Sequence, residues 1–385
     1  MSIIGSIVKK GIQLSNKVKL PKGSPFIQQQ NTLRKLLDKA QDTQFGQQYG
    51  FKNILKAYER DGAEFYYHFK KNVPIFSYNE MAKHWWHKNL EGQEDVAWPG
   101  AIKYFALSSG TSEASTKHIP ITRDLIRSNQ KTSVRQILTL AHYKDLPTDV
   151  FTTGVLMLGG STKLNNRGTY YDGDLSGIQA KKIPTWFTNY YKPGARISKI
   201  SNWSEKLEEI TLKAKDWDIG VIAGSPAWNL ILIEKIIKHY NVKNIHEIWP
   251  NLTIFCFGGV SIEPYRKGFD AVLGKPLLYL ETYLASEGFI AYQAEPNTDM
   301  RLVLDNGLFL EFIPFNDENF TQDGELVANP KTYMVNQVQE GVDYAILLST
   351  NAGAWRYMIG DVVRFSNVAK AEIKIVGRTK HYISL

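Results

Sequence analysis

A single cysteine among 385 residues excludes an intramolecular disulfide and any thiolate metal cluster. Cys256 sits among apolar neighbours in TIFCFGG, as a buried structural thiol does. Long apolar runs are also missing. Segments such as IFCFGGV and YAILLS fall far short of the ~20 residues that a membrane-spanning helix needs. The first twenty residues, MSIIGSIVKKGIQLSNKVKL, lack a continuous apolar core with a small-residue cleavage site and carry lysines throughout, which argues against a secretory signal. The chain is therefore expected to be cytoplasmic, with no membrane span. Blocks of one charge are absent too: 46 Lys and Arg stand against 38 Asp and Glu, and the excess of +8 is scattered. That pattern does not point to nucleic acid; attraction for small anions or simple solubility explains it. His84 and His87 in HWWH could share a helical face, but with no third ligand near them a packed helix is the expectation. There is no internal repeat and no low-complexity tract.

What is present is an ordinary globular balance, 43% hydrophobic and 22% charged, long enough for a large multilayered body. Residues 1–90 read as helical. IIGSIVKKGI and NTLRKLLDKAQDTQFGQQYG place apolar residues three and four apart, and the second ends in glycine. The first could lie on a membrane surface, although packing against the body is the commoner fate of so short a piece. From about residue 150, VFTTGVLML, IGVIAGS, LTIFCFGG and PLLYLETY read as strands, and PAWNLILIEKIIKHY as a helix between two of them. Strand, glycine turn and helix in succession predict a parallel sheet. After residue 288 the texture turns antiparallel: MRLVLDNGLFLEFIPF reads as a hairpin about Asn306-Gly307, followed by DYAILLST, DVVRFSN and AEIKIVGR. The expected architecture is α/β, with helical 1–90, α/β 91–288 and a β-rich subdomain 289–377.

In open sheets of this kind ligands bind beyond the carboxyl ends of the strands. Four loops stand out on that rule. In ALSSGTSEASTKHIP, Gly110 permits close backbone approach, Ser108, Ser109, Thr111 and Ser112 offer hydroxyl and amide donors to phosphate oxygens, and Lys117 adds a positive charge. The loop is no Walker A motif, because the lysine is followed by histidine. Read alone, it is as well explained as a solvated turn. In YLETYLASEG, Glu287 offers a hard oxygen ligand to magnesium beside phosphates, or is merely exposed. In WRYMIGDVVRF, Asp361 can accept from both hydroxyls of a ribose, although Gly-Asp is also a common turn pair. The fourth loop, VGRTKHYISL, carries Arg378.

Taken together and in this order, Ser-Ser-Gly-Thr-Ser with the following Lys and Ile-Pro at 108–120, Tyr-Leu-Ala-Ser-Glu-Gly at 283–288 and Arg-Tyr-x-x-Gly-Asp-Val-Val at 356–363 resemble the three nucleotide motifs of the Gretchen Hagen (auxin-responsive) family of acyl acid amido synthetases. That family belongs to the acyl-adenylate-forming, luciferase-like superfamily. The resemblance implies an ATP- and magnesium-dependent ligase that activates a small carboxylic acid as its adenylate and passes the acyl group to an amino acid. It also implies a large adenylation domain over 1–377 and the start of a hinge at 378–385, with the family's smaller C-terminal lid domain missing. By analogy Ser108, Ser109, Gly110, Thr111 and Ser112 cradle phosphates with Lys117 at their edge. Glu287 serves magnesium, Tyr283 and Ser286 line the nucleotide pocket, and Asp361 holds the ribose. Gly258, Gly259 and Val260 lie against the adenine, and Arg378 stands at the hinge. Ser225, Trp228 and the helical region near 123–140 are the expected acyl-pocket walls.

Two departures accompany the resemblance. Met358 occupies the place of a second arginine common in plant members, which puts a phosphate or substrate contact there in doubt. The chain stops at Leu385 within the hinge-like segment, so the expectation is a fragment of a longer protein. Two other readings stay open: an acyl-CoA ligase, whose phosphate loop is usually richer in glycine with a Pro-Lys ending, and a module that only binds nucleotide or acid.

Overall fold

The computed structural model describes residues 10–11, 23–60, 64–108, 116–140, 143, 146–183 and 185–380, without the side chains of residues 59, 60 and 186. Most of the expected N-terminal helix, the loop residues Ser109, Gly110, Thr111 and Ser112, and residues 381–385 lie outside that set.

The first long helix, α1 (Pro25–Ala40), is fixed at its start by Pro25 and by Ser24, whose hydroxyl accepts from the Ile27 amide at 3.4 Å. The continuous helix expected from NTLRKLLDKAQDTQFGQQYG does not form. Thr43 restarts the chain as the cap of a short helix, Gln44–Gln48, by accepting from Gly46 N at 3.0 Å. The first three residues of HWWH lie in a widened π turn, Ala82–Trp86, that buries Trp85 and Trp86, and His87 begins the short helix His87–Leu90. Among the described residues no cluster of three or more His, Cys, Asp or Glu side chains surrounds a possible metal position, and none forms at His84 and His87.

Strands β1 (Tyr104–Ser108) and β2 (Lys117–Ile121) form an antiparallel hairpin, so the serine-rich loop is the hairpin tip and Ser108 pairs with Lys117. Thr122 then caps α2 (Arg123–Thr139), accepting from Leu125 N at 3.0 Å. Along the chain follow β3 (Gly154–Leu158), β4 (Asn165–Asn166), β5 (Tyr171–Gly173), β6 (Tyr191–Lys192), helix α3 (Trp203–Lys213), β7 (Ile219–Gly224), helix α4 (Pro226–Tyr240), β8 (Ile254–Gly258) and β9 (Leu278–Ala285). The remaining strands are β10 (Gly288–Gln293), β11 (Met300–Leu302), β12 (Leu308–Pro314), β13 (Asp343–Thr350), β14 (Tyr357–Asn367) and β15 (Glu372–Arg378). The front half of VFTTGVLML is a 3-10 turn, Thr148–Thr152, and only its second half is strand.

Two sheets result: a small one ordered β2-β1-β5-β4, and one of eleven strands ordered β12-β13-β14-β15-β11-β10-β9-β8-β7-β3-β6. Strands β3, β6, β7, β8 and β9 pair in parallel and β9 to β15 antiparallel, so the α/β and β-rich stretches join through β9 into one sheet. The parallel strands are apolar on both faces, as burial under helices requires. Ile222, Phe255 and Phe257 pack under α3 and α4 with Leu207, Ile233 and Ile236. Ile254 and Leu280 pack with Leu140 and Tyr143 on the other face.

The hairpin expected over Met300–Phe315 is absent. Strand β11 pairs with β10 and β15, and β12 with β13, so Asn306-Gly307 turns the chain between different partners. A local turn signal is overridden here by longer strands offering more ladder bonds and deeper burial.

Candidate active site

The carboxyl ends of β3, β7 and β8 all lie at one edge of the large sheet, and β9 runs past them into the antiparallel region. Beyond its end, Ser286 and Glu287 form the two-residue tip of the β9–β10 hairpin, because Ala285 already pairs with Gly288. Hairpin tips are normally solvated, yet Glu287 is only 7% exposed. Burial raises its carboxyl above the ordinary 4.5, and the neighbouring Asp361 charge pushes the same way; Lys117 and a hydrogen bond from Tyr357 oppose the shift.

Asp361 reaches the same place from β14. Between the pairs Leu347–Met358 and Ala345–Val362, β14 carries two extra residues, and Gly360 within this bulge has φ +91°. A bulge re-aims side chains, and here Asp361 accepts from the Tyr283 hydroxyl at 2.5 Å while Arg378 Nε lies 3.2 Å from its other oxygen. Arg378 is its register partner on β15 and also donates to the Ile359 carbonyl at 3.1 Å.

Lys117, at the first position of β2, completes the cluster. Its ammonium stands 5.3 Å from the centre of the Tyr78 ring and feels the charges of Glu287, Arg378, Asp361 and Lys380. Burial lowers its pKa below the ordinary 10.5, an effect that Glu287 and Asp361 partly offset. The Tyr78 hydroxyl accepts from the His118 amide at 2.9 Å. His118 Nε2 is 3.4 Å from the fully buried Asp172, which also accepts from Asn165 and Arg167 at 2.7 and 2.8 Å. The base of the serine-rich hairpin is thereby fixed to both β5 and the N-terminal helices.

The structure thus brings Lys117, Glu287, Asp361, Tyr283 and Arg378 together. Ser108 is adjacent through its pairing with Lys117, and Ser286 adjoins Glu287 in the turn. Gly258 pairs with Thr282 so closely that a Cβ on it would stand 2.3 Å from the Thr282 carbonyl oxygen, which sets Gly258, Gly259 and the exposed Val260 beside the Tyr283 strand. Ser225 and Trp228 follow β7 at the same edge, but among the described residues no hydrogen bond or ion pair joins them to the cluster. Trp228 instead stacks on Trp203 at 4.6 Å with planes 8° apart. Met358 faces away, packing beside Ile75 and Phe315 on an apolar cluster with Ile313 and Leu347.

Tyr78 and Tyr357 are the residues sequence reasoning missed. Burial holds the Tyr357 hydroxyl well above its usual range, and the adjacent Glu287 adds to the shift, so Tyr357 remains a donor to that carboxylate. Its place inside the third motif was the available signal; Tyr78 had none.

Glu287 with the cations of Lys117 and Arg378 fits a magnesium–triphosphate, the carboxylate offering a hard ligand and the cations balancing phosphate charge, while Asp361 offers acceptor oxygens beside them. The raised Glu287 pKa has a consequence for stability. Such a carboxyl favours folding fully only below the unfolded value, and that contribution is lost as pH rises through the folded one. Glu287→Gln should therefore melt at a higher temperature than the parent at pH 8 and converge with it near pH 4, as followed by calorimetry. Equal melting temperatures at pH 8 would count against the buried charge.

Family models place the chain. Residues 23–161 and 160–278 match the GH3 family N-terminal domain, and residues 301–378 match the GH3 family central domain. The chain belongs to the GH3 family. A Nicotiana attenuata protein named Jasmonoyl--L-amino acid synthetase JAR4 is 35% identical over 126 residues, a stretch covering 31% of this chain and 21% of that one. Among solved structures, GH3.15 acyl acid amido synthetase superposes with a TM-score of 0.73 at 17% identity, covering 98% of this chain and 72% of that one. A 2-hydroxyisobutyryl-CoA ligase shares the fold at a TM-score of 0.56 and 10% identity, covering 91% of this chain and 67% of the other. The fold is the one shared by these two solved structures, and the matched stretches span only part of the relatives' length, 21% of the Nicotiana protein. No helix among the described residues is long and apolar enough to cross a membrane.

Proposed function

We propose that this GH3 chain carries the ATP- and acid-binding portion of an acyl acid amido synthetase acting in the cytoplasm, with 1–377 as the adenylation body and 378–385 as the start of a hinge. The observation that carries the reading is the convergence of Lys117, Glu287 and Asp361, from β2, the β9–β10 tip and the β14 bulge, on one largely buried site. In this reading Lys117 and the Ser108–Ser112 loop hold phosphates, Glu287 holds magnesium, and Asp361 accepts from the ribose hydroxyls. Gly258 to Val260 flank the adenine beside Tyr283 and Ser286, and Arg378, 3.2 Å from Asp361, holds that carboxylate in place. Bound ATP and magnesium supply the chemistry: a carboxylate oxygen of the acid bonds to the α-phosphorus as pyrophosphate leaves, and an amino-acid amine then takes the acyl group from AMP.

The chain's own contribution is positioning and charge neutralisation. The acid is proposed to lie against α2, whose Val134 and Ile137 are each 39% exposed although apolar, and toward Ser225 and Trp228. No particular acid follows from this, because family membership fixes the reaction type better than the acyl group.

Incubating the chain with ATP, magnesium and a panel of carboxylic acids, with either mixed amino acids or CoA, tests the reading. Mass spectrometry should find acyl amides together with AMP. Thioesters alone would make it an acyl-CoA ligase, and ATP binding without AMP release would leave a binding module.

A further inference from the structure

A cleft at the far end of the β1–β2 hairpin takes no part in this chemistry. Five residues of extended chain separate Lys117 from Thr122, roughly 16 Å at 3.3 Å per residue. There α1, the first two turns of α2, the Asp305–Gly307 turn and Asn351 line an open cleft of about 320 Å³. That is the size of a small-metabolite site.

Its charges are unbalanced. Lys35 and Lys39, one turn apart on α1, line it and form neither ion pair nor hydrogen bond among the described residues. Arg127 on α2 comes only within 3.9 Å of Asp124. Both carboxylates of the cleft are engaged already: Asp305 receives Arg135 at 2.5 and 2.6 Å, and Asp124 accepts from the Trp98 indole at 3.0 Å.

The floor is built rather than incidental. Asn306 donates to the Ser128 carbonyl at 2.6 Å and to Thr132 at 2.9 Å, and Asn351 donates to the Ser128 hydroxyl at 2.7 Å. Gly307 holds φ +78°, and a Cβ on it would stand 2.2 Å from the Asn351 amide nitrogen, so the turn is shaped to admit that side chain. Asn351 is 6% exposed, lines the cavity, and its Oδ1 is buried with no partner. A buried acceptor left unpaired is costly and calls for a donor.

We propose that this cleft binds a small organic anion that also carries a hydrogen-bond donor, such as an acidic amino acid or a phosphate monoester. The anionic groups meet Lys35, Lys39 and Arg127, and an ammonium or hydroxyl donates to Asn351 Oδ1.

Calorimetric titration at low salt with L-glutamate and with glycerol 1-phosphate distinguishes the two sources. The parent chain should bind at least one of them with a submillimolar Kd. The exposed pair Lys35→Glu/Lys39→Glu, checked for an unchanged melting curve, should weaken that binding more than tenfold, whereas Lys117→Ala should leave it within twofold. Glutarate, which has the two carboxylates of glutamate but no ammonium, should bind at least fivefold more weakly than glutamate wherever glutamate is the ligand. No binding by the parent, or binding that survives charge reversal and vanishes in Lys117→Ala, overturns the proposal. So does glutarate binding as tightly as glutamate.

Discussion

Replacing Arg356 with alanine is expected to destabilise the fold by about 3–5 kcal/mol, the cost of leaving a buried carboxylate without its partner. Arg356 is 5% exposed and Glu311 1%. Its Nε lies 3.1 and 3.0 Å from the two Glu311 oxygens, and the remaining guanidinium nitrogens donate to the carbonyls of Lys70 and Val73 at 3.1 and 2.8 Å and to Thr332 at 3.3 Å. The Tyr66 hydroxyl donates to the same glutamate at 2.8 Å. One side chain thus ties the N-terminal helices to β12 and to the start of β14. Its backbone, at φ +41°, lies in the left-handed region, which the side-chain anchor helps to maintain. Glu311→Gln/Arg356→Met, which removes both charges, should lose much less. Denaturant titration of the three chains decides it; an Arg356→Ala loss below about 1 kcal/mol would remove the anchoring role.

The second large effect is expected at Asp361. Alanine there removes the proposed acceptor for the ribose hydroxyls and frees Tyr283 and Arg378, which Asp361 holds at 2.5 and 3.2 Å. One charge-assisted bond of about 1.5–3 kcal/mol already implies a loss of roughly 10- to 150-fold in ATP affinity, and loss of the second deepens it. Glu287→Ala should behave differently. With magnesium positioning as its role, it leaves ATP affinity within about threefold and slows adenylation by about 100-fold or more. Equilibrium titration with ATP and single-turnover AMP formation separate the two. Unchanged ATP affinity in Asp361→Ala would withdraw the ribose assignment.

The parallel half of the sheet was legible because its strands are short, doubly buried apolar runs and α4 has a proline start. Cap chemistry placed α2 through Thr122. The expected Asn306-Gly307 hairpin failed because that signal is local, while the partners that captured β11 and β12 lie from a few residues to some seventy residues away along the chain. The break after Ala40 was foreshadowed only by Thr43, whose capping role becomes visible once Gly46 is seen three residues on.

At the site, Lys117, Glu287 and Asp361 could be singled out by residue type beside turn glycines. Their mutual approach could not, because they come from three remote elements. Arg356 was read as part of a nucleotide motif, but its side chain faces Glu311 and the helices. Met358, whose substitution for arginine raised doubt, turns into an apolar cluster on the other side of β14. Alternation along β14 puts Tyr357 and Asp361 on the site side and Met358 on the other, since the two extra residues at Gly360 keep the period of two, whereas Arg356 precedes the strand at positive φ and escapes that rule.

The most direct test of the central claim is exchange of labelled pyrophosphate into ATP by this chain, with magnesium, as a function of added carboxylic acid. Acid-dependent exchange, abolished in Lys117→Ala and Asp361→Ala and absent without magnesium, is the predicted result. Tight ATP binding with no exchange for any acid, or exchange that persists in both variants, would contradict adenylation at this site.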